Sequence, residues 1–257
     1  LAKIAEWCGR TDSKIKTHSL AYFEADAAKL TSAVTYVASV VPGHYTAANR
    51  VAHILDKLGK AEAADYIITK LPTGPRSRSG DIGEILASGW VSEFTGYKMG
   101  VLKLRWKDHR EMAMRGDDIL AVRPDAEGTV RFLKGEVKSR ASLGQKTIEE
   151  ARKALLGNDG RPTPHALAFV SDRLFESGDT DLSDLIDKYQ LKERIKVDQM
   201  SHLMFMFTGN NPCKLLSADL EAYKGRIPQF GVGLRVSSHQ DFIKKIFAKV
   251  VADGQQP

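Results

Sequence analysis

The tightest constraint on this chain is a pair of short strand-like segments that each meet charge at one end. The first is Ile-Leu-Ala-Val at 119–122, entered from Asp117 and Asp118. The second covers 130–137 and passes through Glu136 and Val137 into Lys138. Short apolar runs between turn signals fit buried strands. The turn 124–128, Pro-Asp-Ala-Glu-Gly, joins them as sheet neighbours. On a strand, residues i and i+2 face the same way. Glu136 and Lys138 therefore project together and Val137 projects opposite. If the strands pair, Asp118, Glu136 and Lys138 converge at one end of a sheet. Half-burying such charges is costly without an offsetting partner. A divalent cation supplies one, because hard Mg²⁺ favours carboxylate oxygens and keeps several waters.

That set of groups suits phosphodiester hydrolysis. Carboxylates hold a metal ion, which polarises a phosphoryl oxygen and acidifies a bound water. A placed lysine orients the attacking water and offsets charge growing on the phosphate. Glu84 follows Asp81 on a helix whose apolar face is Ile82, Ile85, Leu86 and Trp90, so it can add a carboxylate from the side. By itself a Glu-x-Lys match is common and usually marks a solvated strand face. Asp118 and Glu84, in order and on suitable elements, turn the reading toward catalysis. For Glu84 an exposed helix position is the ordinary alternative, and Asp117 reads as a turn or supporting residue. Arg76, Arg78, Arg140 and Lys146 lie close enough in sequence to contact phosphates, or serve as plain surface charges. Lys103, Arg105 and Lys107 around Trp106 read as one polar face of a strand.

The remaining chain supports an α/β sandwich with a mixed sheet. Residues 1–73 read as a helical N-terminal region and 74–257 as the domain carrying the site, with its core at about 78–172. Helices are expected over 25–41, 46–58 and 61–70, the second with Val51, Ile54, Leu55 and Leu58 on one face. Residues 73–80 have loop composition. Strands are expected at 101–106, 165–170 and 202–207. Helices are expected at 143–156 behind a Ser142 cap, at 182–189, and at 240–251 with Phe242, Ile243, Ile246, Phe247 and Val250 inward. Met204, Phe205, Met206 and Phe207 read as core.

Composition narrows the setting. Lys and Arg number 38 against 32 Asp and Glu, a formal charge of +6 that suits a polyanion partner. Cys8 and Cys213 stand far apart, with no zinc spacing, and read as free thiols. No apolar run nears the ~20 residues of a membrane span, and no export signal is visible. A cytoplasmic protein is expected.

Glu84, then Asp118, then Glu136-Val137-Lys138 resembles the PD-(D/E)xK nuclease superfamily. Where that family often has Pro-Asp, this chain has Asp117-Asp118. The resemblance implies a restriction-endonuclease-like mixed sheet flanked by helices, here with a helical N-terminal extension. It implies a metal site of Asp118, Glu136 and the Val137 carbonyl, taking Mg²⁺ or Mn²⁺. Lys138 would position the water, Glu84 would assist, and Arg78, Arg140 and Lys146 would contact nucleic acid. Gln145 is weakly similar to the helix Gln of the RecB-like branch, without the aromatic four residues on, since position 149 is Glu.

The strings Gly80-Asp81-Ile82-Gly83-Glu84-Ile85-Leu86, Arg115-Gly116-Asp117-Asp118-Ile119 and Gly135-Glu136-Val137-Lys138-Ser139-Arg140 are similar to the HamA family. These are nuclease subunits of Hachiman, a bacterial anti-phage defence system. That resemblance implies a DNA target and a HamB-like helicase partner. The expectation is a metal-dependent deoxyribonuclease working as the effector of such a complex. Two alternatives stand beside it: a non-catalytic nuclease fold that binds DNA or a partner, and a metal-dependent phosphohydrolase acting on nucleotides.

Overall fold

The computed structural model describes residues 2–112, 114, 116–124 and 129–255; most of the expected turn at 124–128 lies outside them. A short helix α1 (Ile4–Trp7) leads into a hairpin of β1 (Cys8–Ile15) and β2 (His18–Ala25). Helices α2 (Leu30–Tyr45), α3 (Ala48–Leu58), α4 (Lys60–Lys70) and α5 (Pro75–Phe94) follow. Then come β3 (Lys98–Met99), a 3-10 turn at Lys103–Trp106, β4 (Ile119–Pro124) and β5 (Val130–Arg140). Helices α6 (Gln145–Leu156), α7 (Pro164–Glu176) and α8 (Thr180–Asp187) precede β6 (Met200–Thr208). The chain closes with α9 (Cys213–Ala222), β7 (Gln229–Arg235) and α10 (His239–Gln255).

The strands form one mixed sheet in the order β1-β2-β7-β6-β5-β4-β3. The inner strands β2, β7, β6 and β5 run parallel, while β1, β4 and β3 pair antiparallel at the flanks. Helices cover both faces, so the inner strands are buried on both sides, as parallel strands require. On β6, Phe205 and Phe207 join the core under α2, α5 and α10. Met204 and Met206 join the opposite core, under α6 and α9. Leu120, Val122 and Phe132 meet α7 in a third cluster on that second face. Phe242, Ile243, Ile246, Phe247 and Val250 of α10 are all buried, as their spacing requires.

Several elements differ from the sequence expectation. The hairpin was not anticipated, because β1 is exposed along its middle and carries no alternating apolar pattern. Residues 165–170 are helical rather than extended: Thr163 accepts a hydrogen bond from the Ala166 N–H and Pro164 sits at the first helical position. The expected loop at 73–80 becomes helix from Pro75. Residues 101–106 hold a 3-10 turn, and the adjacent strand is only the two-residue β3. Ser142 is not the cap of α6; Gly144 holds that position, and Asn210 bonds both the N–H and the carbonyl of Leu143. Helix α2 runs through Pro42 to Tyr45. On α3 only Ile54 is buried, with Leu55 and Leu58 49% and 64% exposed.

Candidate active site

The ladder between β4 and β5 pairs Ile119 with Gly135. Extending that register by one residue sets Asp118 opposite Glu136. Beyond Ile119 the Val137 N–H donates to the Asp118 carboxylate, Oδ2, at 2.8 Å. A side chain thus takes the place of the next strand partner. On an antiparallel strand the N–H and C=O of one residue point to the same side, so the Val137 carbonyl faces the Asp118 side too. Gly135 lets the strands close up here, since a Cβ on it would lie 2.7 Å from Ile119 Cβ.

Glu136 and Lys138 share a face, and the Lys138 ammonium donates to Glu136 Oε1 at 2.6 Å. Their side chains are 14% and 21% exposed. Glu84 comes from α5 on the other face of the sheet. Gly83 beside it brings that helix against β5, because an added Cβ would lie 3.2 Å from Val137 Cγ1 and Ser139 Cβ. Burial pushes the Glu84 carboxyl up to about 8, and the Asp118 charge adds to this while Lys103 and Lys107 oppose it. Burial likewise raises Glu136 to about 7, with Asp118 adding and Lys138 opposing. Asp118 is raised by burial against the pull of Lys103 and Lys138. Glu84, Asp118 and Glu136 therefore form one electrostatic chain, with Asp118 as its middle member.

Further charged groups surround these carboxylates. Lys134 precedes Glu136 by two residues on the same face and is 3% exposed. Its ammonium lies 3.4 Å from Asp117 Oδ1 and donates to the carbonyls of Gly157 and Arg161 at 2.9 and 3.1 Å. The i, i+2 spacing of Lys134, Glu136 and Lys138 is a signal that could have drawn it in. Lys103, Arg105 and Lys107 do not form one strand face. Lys103 donates to the Asp117 carbonyl at 2.7 Å, Arg105 to the Gly43 carbonyl, and Lys107 forms a buried pair with Asp81 at 2.9 Å. The Tyr45 hydroxyl donates to the same Asp81 carboxylate. These contacts cross long stretches of sequence, and no local pattern announces them.

The residues expected to touch nucleic acid fall in three settings. Arg78 is on α5 rather than in a loop; its Nε donates to the Pro72 carbonyl and its guanidinium lies 4.9 Å over the Phe247 ring. Arg76 occupies the first turn of the same helix. Arg140 is exposed at the end of β5, two residues past Lys138, and donates to the Ser139 carbonyl. Lys146 is exposed in the first turn of α6, where Gln145 bonds Glu149. Cys8 and Cys213 are free thiols.

The donor chemistry suits a hard divalent cation. Half-buried carboxylates raise one another's proton affinity, and a cation relieves that repulsion. Among the described residues no three His, Cys, Asp or Glu side chains form a ready ligand group. Magnesium is commonly held by one or two carboxylates plus waters; here Asp118, Glu136 and the Val137 carbonyl are the groups that would hold it. Among the described residues no helix is long and apolar enough to cross a membrane.

Comparison with known proteins bears on the whole of this arrangement. A family model described as HamA matches residues 3–250, a span that includes every residue of the acidic chain. The Hachiman protein HamA of Bacillus cereus is 30% identical over 192 residues, covering 72% of this chain and 68% of its own length. The chain belongs to the HamA family.

Proposed function

We propose that this chain is a metal-dependent deoxyribonuclease of the PD-(D/E)xK type. The observation that carries the reading is the Asp118 carboxylate, held on the Val137 N–H and coupled electrostatically to Glu136 on one side and Glu84 on the other. Asp118, Glu136 and the Val137 carbonyl would hold Mg²⁺ or Mn²⁺, which supplies Lewis-acid polarisation and an acidified water when bound. Lys138, steadied by Glu136, stands to hydrogen-bond the attacking water and to offset charge growing on the phosphate. Glu84 supports the site through Asp118. Hydrolysis joins the water oxygen to phosphorus and releases the sugar oxygen, which gains a proton. Arg140 at the end of β5 and Lys146 in the first turn of α6, both exposed, suit contacts to neighbouring phosphates.

Membership of the HamA family, with a relative named for Hachiman, supports a role as the effector of a bacterial anti-phage defence complex. In that role the target is DNA and the partner a HamB-like helicase. The 257 residues contain no GxxxxGK[ST] phosphate loop; in this reading any ATP-driven motor is the partner's. The N-terminal helices and the C-terminal helix are the candidate surface for such a partner, and Leu55 and Leu58 on α3 are exposed there.

Titration of supercoiled plasmid with Mg²⁺, with a chelator control and the Asp118→Asn variant, tests the reading. Expected are nicks or breaks that need the ion and that the variant loses. Cutting that survives the chelator, or that Asp118→Asn retains in full, would contradict it.

A further inference from the structure

A cavity of about 370 Å³ is lined by Lys70, Arg105, Lys107, His109 and Arg110. Against these cations stands one lining carboxylate, Asp108, which is exposed. Lys107 links the cavity to the acidic chain. Its ammonium sits on Asp81 at 2.9 Å, and Asp81 precedes Glu84 on α5 by about 4.5 Å of helix rise. Lys107 and Asp81 both act on the Glu84 carboxyl, so the cavity and the acidic chain share one field. The other cations are less committed. Among the described residues Lys70, Arg105 and Arg110 form no ion pair. Arg105 is half-buried, and burial alone pulls its guanidinium below the usual range, with no carboxylate opposing. Its Nε donates to the Gly43 carbonyl at 2.9 Å. Its two terminal nitrogens have no partner and remain accessible. A half-buried charge of this kind is costly until a counter-charge arrives. The Glu111 N–H donates to His109 Nδ1, so in the neutral ring the Nε2–H is left as a further donor. Apart from Leu104 and Tyr45 the lining is polar or charged, which suits a small anion better than a base or an apolar chain.

We infer that this cavity is a phosphate subsite: it takes a backbone phosphate of the bound strand, near the one held at Asp118, on the Arg105 and Arg110 guanidinium groups and the Lys70 ammonium. The inference rests on the nuclease reading, because that reading brings a nucleic-acid strand to Asp118. A guanidinium fork matches two phosphate oxygens, and an ammonium adds a point charge. Contacts of this kind fix where a strand lies without reading its sequence. The segment 103–107 joins the two places. Lys103 donates to the Asp117 carbonyl in the acidic chain, while Arg105 and Lys107 line the cavity. A phosphate seated here would therefore hold the strand in register with the metal ligands.

Binding of a labelled DNA duplex to the full chain in chelator, followed by fluorescence anisotropy over a series of salt concentrations, tests this without cutting. Lys70→Ala with Arg110→Ala removes two exposed cations from the cavity. Expected is about tenfold weaker binding and a log–log salt slope lower by about one to two, whatever the DNA sequence. Lys224→Ala with Arg226→Ala removes the same charge from an exposed stretch ahead of β7 and should bind like the parent. Arg105→Gln keeps an N–H for the Gly43 carbonyl and drops the charge. It should hold the melting temperature or raise it while weakening duplex binding. Melting curves check that every variant folds. Equal losses in the two double variants would mean that net charge alone is at work and would overturn the inference. Parent-like binding by folded Lys70→Ala, Arg110→Ala protein would overturn it too. If inorganic phosphate raises the melting temperature of the parent but not of Arg105→Gln, and duplex binding is the same in both, the cavity takes a free anion and the nucleic-acid assignment falls. A protein that cuts with Mg²⁺ but binds DNA equally well in all variants loses the subsite alone. A protein whose DNA binding follows the cavity but that never cuts loses the nuclease reading alone.

Discussion

Gly135→Ala is a single-methyl perturbation placed beside the proposed site without touching any of its charged groups. The new Cβ would lie 2.7 Å from Ile119 Cβ, 3.2 Å from Cγ1 and 3.4 Å from Cγ2. Carbon atoms at rest sit about 3.5–4.0 Å apart, so the shortfall is about 0.8–1.3 Å. The nearest atom is a Cβ fixed to the backbone, so no rotamer change relieves the contact and the strands must part. Crowding of this kind costs about 1–3 kcal/mol. The Val137 N–H···Asp118 bond, 2.8 Å long, would stretch past hydrogen-bond range by the same movement. A bond to a charged group is worth about 1.5–3 kcal/mol more. Urea unfolding should register the sum as a lower midpoint with an unchanged slope. Displacing Asp118 by about 1 Å should cut plasmid cleavage about a hundredfold. Gly144→Ala is the control, because a Cβ there meets nothing within 4 Å and its φ is −125°; it should change stability by less than about 0.5 kcal/mol. A Gly135→Ala protein that unfolds and cuts like the parent would refute the placement of Asp118 by this strand pair.

Three further expectations follow from the same contacts. In the metal-free protein Glu84 and Glu136 keep protons up to about 8 and 7, while the unfolded chain releases them near 4.5. The folded state thus binds more protons through this window, and that contribution to stability falls as pH rises. The buried His202 and His239 and the half-buried His44, lowered to about 4 mainly by desolvation, act in the opposite sense below 6.5. Calorimetry in chelator should therefore find the melting temperature declining from about pH 6.5 to about pH 8, with Glu84→Gln flattening the decline; a rise over that interval would contradict the burial of these carboxylates. Lys107→Met leaves Asp81 buried without its cation, a loss of about 3–5 kcal/mol. Adding Asp81→Asn should restore much of it, and a double variant no more stable than Lys107→Met would argue against the pair. Leu55→Ser with Leu58→Ser should leave unfolding within about 1 kcal/mol, since both side chains are exposed. If α3 docks the helicase, the same double variant should lose co-purification with it.

The parts legible in the sequence are those where local pattern and burial agree. Strands β4 and β5 stood out because charge interrupts apolar runs at Asp118 and at Glu136 and Lys138. The run Met204–Phe207 announced a strand covered on both sides. Strand β1 escaped because an exposed edge strand needs no apolar face. Strand β7 carries Gly231 and Gly233, which read as breakers; they are there because Leu220 and Pro212 pack almost on the backbone, with added Cβ atoms meeting them at 3.1 and 2.5 Å. Residues 165–170 form a short apolar run that fits strand or helix alike, and the Thr163-Pro164 start decided it. In the proposed site, the acidic residues stand out in the sequence because their element context is local. Lys103 on the Asp117 carbonyl and Lys107 on Asp81 join the 103–107 segment to residues far along the chain, which no short window of sequence carries.

The central claim is that Glu136 and Lys138, as a pair on β5, are the working end of a DNA-cutting site. Cleavage of plasmid and linear DNA in Mg²⁺, by the chain alone and with a co-expressed helicase, tests it against the Glu136→Ala, Lys138→Ala double variant checked for an unchanged fold. The account predicts metal-dependent cutting that the double variant loses under both conditions. Equal cutting by the variant, or no cutting by the parent in either condition, would contradict it and favour a nuclease fold kept for binding.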